Sequence, residues 1–207
     1  MSDKLSSLCS DFTSRLASPA PVPGGGGAAA LCAALSAALV SMAGELSIGK
    51  KSTAAYAEEL ASLKAAAKEK AERFLSLIDA DAAAFEPLSR AYSIPKDAPG
   101  RAEILSEASL TAASAPMDML RECLELTGLL ERMAQISSRL MLSDVGCAAS
   151  LCRAGAECAA MNVYVNLPGI ADAARADVLR RETDTMLADC TARSDAIARM
   201  VMTKLRG

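Results

Sequence analysis

Two aspartates stand where an ionised side chain is unexpected, and both are candidates for acid–base chemistry. Asp144 lies in an apolar neighbourhood, LMLSDVGCAA, where ionisation without a partner is unfavourable, so we predict a shifted pKa and a catalytic role. The alternative for Asp144 is a helix N-cap, a position that Asp favours. Asp81, in the helical pattern DADAAAF, is a poor helix former, and its alternative is simple exposure. Because the chain has no histidine, Ser-His-Asp and Cys-His mechanisms are excluded.

Four consecutive glycines, Gly24, Gly25, Gly26 and Gly27, follow a stiff proline segment and open directly onto an apolar helix. They free the backbone and let another group approach it closely, because no Cβ intervenes. Free N–H groups and the positive end of the helix dipole predict a receptor for a carboxylate, a phosphate or an electron-rich ring edge. The alternative is a hinge or a flexible loop. The sequence contains neither a dinucleotide-binding fingerprint nor a P-loop, so those two kinds of site are excluded.

Two further pairs of polar residues are candidates for binding a substrate. Asn162 and Asn166 are four residues apart and share a helix face, where their amides could read the edge of a heterocycle. Such amides more often form hydrogen bonds with nearby backbone groups, and this is the alternative role for Asn162 and Asn166. Lys50 and Lys51 follow the apolar helix and could hold an anionic substrate tail. Their alternative is a pair of exposed lysines that complement the helix dipole.

Composition excludes several classes of protein. The seven cysteines form no C-x-x-C pair and the chain has no histidine, so we predict no metal site and reduced thiols in a cytoplasmic protein. A formal net charge of −3, scattered basic residues and few aromatic residues exclude nucleic acid as a partner. The uncharged run 19–44 is long enough to span a bilayer. Its proline, glycine and alanine content instead favours a buried helix and no membrane association.

The candidate site residues must be positioned by helices, because apolar residues recur at helical spacing along most of the chain. We predict one all-α domain over residues 1–207, an up-and-down bundle around a long buried central helix. Several helix faces stay apolar after packing in one layer, so dimerisation through the helices is also predicted. The predicted helices cover residues 2–17, 28–44, 54–92, 101–114, 116–135, 143–167 and 170–204.

The stretch PVPGGGGAAALCAALSAALVSMAGELSIGKK resembles the opening of the cyclodeaminase/cyclohydrolase family. That family includes the C-terminal domain of formiminotransferase-cyclodeaminase and stand-alone methenyltetrahydrofolate cyclohydrolases. The chain departs from the family in two places: Gly27 stands where serine is common, and Ser137 with Ser138 occupy the region in which family members usually show a Gly-Asn pair and another Asn. Further matches follow in order at Asp81, Ala84, Phe85, Ile94-Pro95-Lys96, Pro116, Ser143-Asp144-Val145-Gly146, Asn162-Val163, Asn166-Leu167 and Asp172.

The resemblance implies an all-helical homodimer that binds folate near the subunit interface. Carried over by position, Gly24 to Gly26 would line the folate site, Lys50 and Lys51 would lie near it, and Asp144 would be an active-site residue. The expected reaction is reversible hydrolysis of 5,10-methenyltetrahydrofolate to 10-formyltetrahydrofolate. One alternative is a formimidoyltetrahydrofolate cyclodeaminase that releases ammonia, and another is a non-catalytic folate-binding or structural dimer. No metal and no cofactor beyond the tetrahydrofolate substrate, with or without a polyglutamate tail, is expected.

Overall fold

The computed structural model describes residues 7–207, with side chains from residue 9 onward, and every regular element in that range is helical. The all-α prediction is therefore confirmed. The part of the predicted first helix that precedes residue 7 lies outside the described residues. Short 3₁₀ turns connect several of the longer elements. The helices are α1 (Ser7–Leu16), α2 (Gly25–Ser47), α3 (Ala57–Tyr92), α4 (Arg101–Ala112), α5 (Ser114–Ile136), α6 (Leu142–Tyr164) and α7 (Ala173–Arg206).

Turn chemistry sets several of the helix ends, and the ends that the structure describes lie within three residues of the prediction. Helix α2 stops before Gly49, whose φ of 77° is the left-handed conformation that favours glycine. Helix α7 starts after Asp172, whose Oδ1 accepts a hydrogen bond from the Arg175 backbone N–H. Helix α2 begins at Gly25, three residues earlier than predicted. Helix α6 begins at Leu142, so Asp144 lies inside its first turn and the predicted N-cap role of Asp144 is wrong.

Small side chains let α2 pack closely against α6 at the centre of the bundle. Ala29, Ala33 and Ala37 on α2 are fully buried. A Cβ built on Gly155 of α6 would lie 3.2 Å from the Ala33 Cβ, so only glycine permits this spacing without a shift. The Ser36 hydroxyl donates to the Ala148 carbonyl at 2.7 Å farther along the same interface. The two helices are antiparallel, and the start of α2 therefore lies beside the end of α6.

Three of the larger apolar residues of α2 form a ridge on its opposite face, which the rest of the subunit does not cover. Leu35, Met42 and Leu46 are 50%, 38% and 46% exposed. Within residues 7–207, α2 is the one helix long and apolar enough to cross a membrane, and 56% of its most apolar window is buried. That much burial against α3, α5 and α6 is the behaviour of a core helix with one uncovered face.

Candidate active site

A cleft of about 210 Å³ lies at the N-terminal end of α2. Five parts of the chain meet there: the proline segment, the first turn of α2, the middle of α3, the α4–α5 junction and the end of α6. Seven of the ten predicted site residues have a side chain or backbone that lines the cleft or bonds to a group in it. The lining residues are Pro21, Val22, Gly24, Gly25, Gly26, Asp81, Phe85, Ala112, Pro116, Asn162, Val165 and Asn166.

The carboxylate of Asp81 lies directly against the first turn of α2. A Cβ built on Gly26 would overlap the Asp81 carboxylate, so the side chain of Asp81 fits only because residue 26 has none. The backbone N–H of Gly27 donates a hydrogen bond to this carboxylate. Asp81 therefore acts as a cap for α2 that comes from another helix, while Gly24, the residue at the N-cap position, provides no side-chain cap.

Burial raises the pKa of Asp81 from 3.8 to about 6, and the Gly27 hydrogen bond partly opposes this rise. Desolvation is the larger effect because apolar residues and uncharged backbone surround the carboxyl group. Near neutral pH most Asp81 side chains are ionised, yet a proton is held far more readily than by an exposed aspartate. These are the properties of a group that can accept and return a proton during a reaction.

The amides of Asn162 and Asn166 lie on the α6 side of the cleft. The Nδ2 of Asn162 donates to the Cys158 carbonyl, and the Nδ2 of Asn166 donates to the Asn162 carbonyl, each at 2.8 Å. A Cβ built on Gly25 would lie 3.1 Å from the Asn162 Nδ2, so this amide packs on the glycine backbone. Each amide is oriented by the backbone carbonyl four residues before it, and each keeps a side-chain oxygen that can accept a hydrogen bond from a ligand.

The glycines at the start of α2 let other groups lie close to the backbone, and they are not needed there for an unusual backbone conformation. Gly25, Gly26 and Gly27 are helical, and the described glycines with a left-handed φ are Gly49, Gly100 and Gly207. The predicted flexible-loop alternative is therefore wrong for this run. The predicted receptor for an external carboxylate or phosphate is also not met, because the Asp81 carboxylate already occupies the end of α2 and would repel an anion.

The structure places Asp144, Lys50 and Lys51 at the other end of the bundle. Asp144 is in the first turn of α6 and Asn162 is in its last turn, so about 27 Å of helix separates them at 1.5 Å per residue. Both lysines follow the C-terminal end of α2 and are exposed. Within one subunit, these three residues do not share the cleft with the glycines and Asp81.

Phe85 is the cleft residue that the sequence could have revealed but that was not singled out as a site residue. It lies four residues after Asp81 on α3, and positions four apart share a helix face. Pro116, Ala112 and Val165 also line the cleft, and no local pattern marks them because their position depends on how the helices pack.

The cleft is an electron-rich environment with one titratable group. Among the residues that the structure describes, Asp81 is the one charged side chain that lines it. The amide oxygens of Asn162 and Asn166 add acceptors, and residues 7–207 contain no cluster of three potential metal-ligating side chains. The arrangement suits a ligand that carries a positive charge or presents N–H donors, and it provides one group for proton transfer.

Comparisons with known proteins agree on one group of enzymes. A family model described as formiminotransferase-cyclodeaminase matches residues 8–185. The chain is 39% identical over 202 residues to a methenyltetrahydrofolate cyclohydrolase of Methylorubrum extorquens, covering 94% of this chain and 95% of that protein. It is 30% identical over 180 residues to a formimidoyltransferase-cyclodeaminase of Sus scrofa, covering 85% of this chain and 33% of that longer protein.

A solved structure has the same fold. The crystal structure of formiminotetrahydrofolate cyclodeaminase from Thermotoga maritima superposes with a TM-score of 0.79. The two chains are 27% identical, and the match covers 96% of this chain and 97% of that one.

Proposed function

Because the chain belongs to the formiminotransferase-cyclodeaminase family, we propose that it is a folate one-carbon enzyme that reversibly hydrolyses 5,10-methenyltetrahydrofolate to 10-formyltetrahydrofolate. The similarity to the Methylorubrum cyclohydrolase extends over almost the whole length of both chains, which favours this reaction over others of the family. The observation that carries the proposal within the structure is the Asp81 carboxylate in the cleft, with its pKa raised to about 6.

The charge of the cleft fits the charge of this substrate. The methenyl carbon of 5,10-methenyltetrahydrofolate belongs to a delocalised N5–C–N10 cation, and Asp81 is ionised when that cation arrives near neutral pH. The carboxylate stabilises the bound cation, and no basic residue among those described lines the cleft to oppose it. Asp81 thus provides electrostatic attraction and a base at the same position.

Asp81 can perform both proton transfers of the hydrolysis. As a water molecule adds its oxygen to the methenyl carbon, Asp81 accepts one proton from it, which leaves a neutral hydroxyl adduct. When the bond from carbon to N5 breaks, Asp81 returns its proton to N5 and the hydroxyl proton leaves to solvent. The products are a formyl group on N10 and one released proton, so atoms and charge balance.

Formimidoyltetrahydrofolate cyclodeaminase activity is the second candidate, favoured by the structural similarity to the Thermotoga enzyme. N10 would attack the formimino carbon, Asp81 would accept the N10 proton, and the same proton would pass to the departing nitrogen as ammonia leaves. The protonated formimino group is also a delocalised cation, so the same cleft suits both substrates.

Asn162 and Asn166 would orient the ring system. Their free amide oxygens accept hydrogen bonds, and a reduced pterin offers N–H donors along one edge. At about 210 Å³ the cleft is smaller than the roughly 300–1,000 Å³ of pockets that enclose a whole drug-sized ligand. It is therefore expected to hold the ring and the one-carbon unit and to leave the glutamate tail outside.

We further propose a homodimer in which the uncovered ridge of α2 packs against the same ridge of a second copy. Leu35, Met42 and Leu46 provide the apolar surface, and α2 carries no charge before Glu45. A two-fold axis near the middle of α2 would make the paired helices antiparallel. The C-terminal end of one α2 would then lie beside the glycine end of the other.

Such a dimer gives the residues at the far end of the bundle a role in the partner's site. Lys50 and Lys51 of one subunit would approach the folate tail bound in the other, and Asp144 would approach the reacting cation. The hydroxyls of Ser137 and Ser138 at this end are buried without a hydrogen-bond partner among the described residues, which suits contact with a further group.

Mixed dimers test this arrangement. Asp81→Asn and Asp144→Asn subunits, co-expressed with different tags, should regain turnover in the mixed dimer because one of its two sites then contains both native aspartates. If each site is complete within one subunit, the mixed dimer will be no more active than the two parent variants.

We propose a soluble enzyme of the cytoplasm that needs no cofactor beyond its tetrahydrofolate substrate, whether or not that substrate is polyglutamylated.

Side-by-side turnover of the two substrates tests the function. The purified protein should hydrolyse 5,10-methenyltetrahydrofolate faster than buffer alone, monitored by loss of the methenyl chromophore. Ammonia release from 5-formiminotetrahydrofolate is measured on the same preparation. If cyclodeamination is fast and hydrolysis is not, the second candidate replaces the first. Activity on neither substrate by a folded protein would contradict both, and tight folate binding without turnover would indicate a binding protein.

A further inference from the structure

Phe85 is the one aromatic residue among the described residues that line the cleft, and the mechanism above does not use it. It follows Asp81 by four residues on α3, which places the two Cβ atoms about 5–6 Å apart on one helix face. Leu88, Ala108 and Ala112 belong to the buried cluster against which Phe85 packs. The ring is therefore held in place from behind while part of it borders the cleft.

A cleft of about 210 Å³ adjoins this ring. The Asp81 carboxylate packs against Gly26 and the Asn162 amide packs against Gly25, so the glycines bring these two polar groups into the cleft wall. An aromatic face is electron-rich and attracts cations, and the attraction strengthens where water is partly excluded. A delocalised cation bound here would lie near both the Asp81 carboxylate and the Phe85 ring.

The geometry points to Phe85 as a specificity-determining residue that makes the cleft prefer folates whose one-carbon unit is cationic over folates whose one-carbon unit is neutral. This inference rests on the proposed function and deepens it. The methenyl and protonated formimino folates are both delocalised cations, whereas formyl folates are neutral at the same position. The ring would thus favour binding of the substrates of both family reactions and release of the formyl product.

The negative charge of Asp81 does not by itself provide the selectivity that is assigned to Phe85. Asp81 attracts any cation and attracts it through space, so the carboxylate does not distinguish a flat delocalised cation from a compact one. The ring contributes attraction only to a group that lies over its face, which adds a requirement for shape. Replacing the ring by an aliphatic side chain of similar size should remove this contribution and leave the Asp81 contribution in place.

The test compares Phe85→Leu with Phe85→Tyr in the full chain, the tyrosine variant being the matched control that keeps the ring. For each variant one measures KM and kcat for the cationic substrate that the wild type turns over. One also measures the inhibition constant of 5-formyltetrahydrofolate, a stable neutral competitor. Circular dichroism and thermal melting establish that both variants fold.

Phe85→Leu should raise KM for the cationic substrate about 5–30-fold, the range that corresponds to a partly desolvated cation–π contact. It should change the inhibition constant of the neutral folate less than threefold, and Phe85→Tyr should resemble the wild type in both measurements. Equal losses for the cationic and neutral folates would overturn the inference, because Phe85 would then be only an apolar wall. No loss for either folate would overturn it as well.

Failure of this inference differs from failure of the proposed function. If Phe85→Leu leaves the preference for cations intact while Asp81→Asn abolishes it, selectivity comes from Asp81 alone and the enzyme assignment stands. If the wild type neither turns over nor binds any of these folates, the proposed function itself fails.

Discussion

Replacing Asp81 by asparagine should make the protein more stable at neutral pH while it inactivates the enzyme. Asparagine has the same shape and keeps an oxygen that can accept the Gly27 N–H bond, but it carries no charge to desolvate. The native carboxyl group has its pKa raised from 3.8 to about 6, so the folded state binds a proton more tightly than the unfolded state.

The raised pKa of Asp81 determines the pH range over which this residue changes the free energy of unfolding. The stability associated with protonated Asp81 is fully present below pH 3.8 and is lost as the pH rises through about 6. The difference between a pKa of 3.8 and a pKa of about 6 corresponds to at most about 3 kcal/mol of stability, and the opening of the cleft to solvent reduces this to about 1–2 kcal/mol. For a chain of this size the gain corresponds to a rise in Tm of about 2–8 °C.

Thermal or urea unfolding at pH 8 and at pH 4.5 measures this difference. We expect Asp81→Asn to stabilise the protein at pH 8 and to have a much smaller effect at pH 4.5, where the native carboxyl group is already largely protonated. Turnover should fall about 10²-fold or more, the scale of a positioned acid or base. Asp79→Asn is the matched control, because Asp79 is exposed on the same helix and does not line the cleft.

Loss of stability in Asp81→Asn at pH 8, with no loss at pH 4.5, would refute this reasoning. It would mean that the negative charge at the start of α2 stabilises the helix dipole by more than its desolvation costs.

Gly26→Ala should displace the Asp81 carboxylate, lower turnover about 10²-fold and cost about 1–3 kcal/mol of stability. Gly128→Ala is the control, because its new Cβ would meet only Arg193 Nη2 at 3.6 Å. This variant should be neutral or slightly stabilising and should leave turnover intact. Leu35→Arg on the α2 ridge should convert a dimer to a monomer in sedimentation, whereas the equally exposed Leu75→Arg on α3 should not; an unchanged dimer in both would place the interface elsewhere. Asn162→Ala should raise KM about 3–10-fold with little change in kcat, the cost of one lost hydrogen bond, and a pure loss of kcat would instead assign Asn162 to the chemistry.

The helices were predictable because their apolar spacing and their end signals are local. Gly49 and the segment 93–100, which contains two prolines and a glycine, mark boundaries through their own backbone preferences. The start of α2 was predicted too late because a glycine run is a poor helix former in isolation, and here the first turn is stabilised by the Asp81 carboxylate from α3. A contact between two helices overrode the local preference.

The cleft was predictable in part. Close approach at the glycines was expected, and so was a polar role for Asp81, Asn162 and Asn166. Their convergence depends on the antiparallel packing of α2 against α6 and on the packing of α3 beside both, which no spacing within one helix reveals. Asp144 was favoured because its neighbours in sequence are apolar, but that property does not tell which end of α6 meets the cleft.

The exposed ridge of α2 could not be predicted from the sequence either, because local sequence does not tell which side of a helix meets its neighbours. Its leucines and its alanines are both apolar, so the sequence predicts a helix that is buried on most sides without telling which face meets the core. In the structure the alanines face the core because their small size permits close helix packing, and Leu35 and Met42 remain outside. This division between the two faces is what makes a second copy the expected partner for the ridge.

The most direct test of whether Asp81 is the proton-transfer group in the cleft is the pH dependence of kcat/KM for hydrolysis of 5,10-methenyltetrahydrofolate. After subtraction of the uncatalysed rate, kcat/KM should rise with a single ionisation near pH 6 and then level off, because the ionised carboxylate of the free enzyme is the active form. The residual activity of Asp81→Asn should lack this ionisation. A profile that is flat between pH 5 and 7.5, or an ionisation near pH 6 that persists in Asp81→Asn, would contradict the assignment.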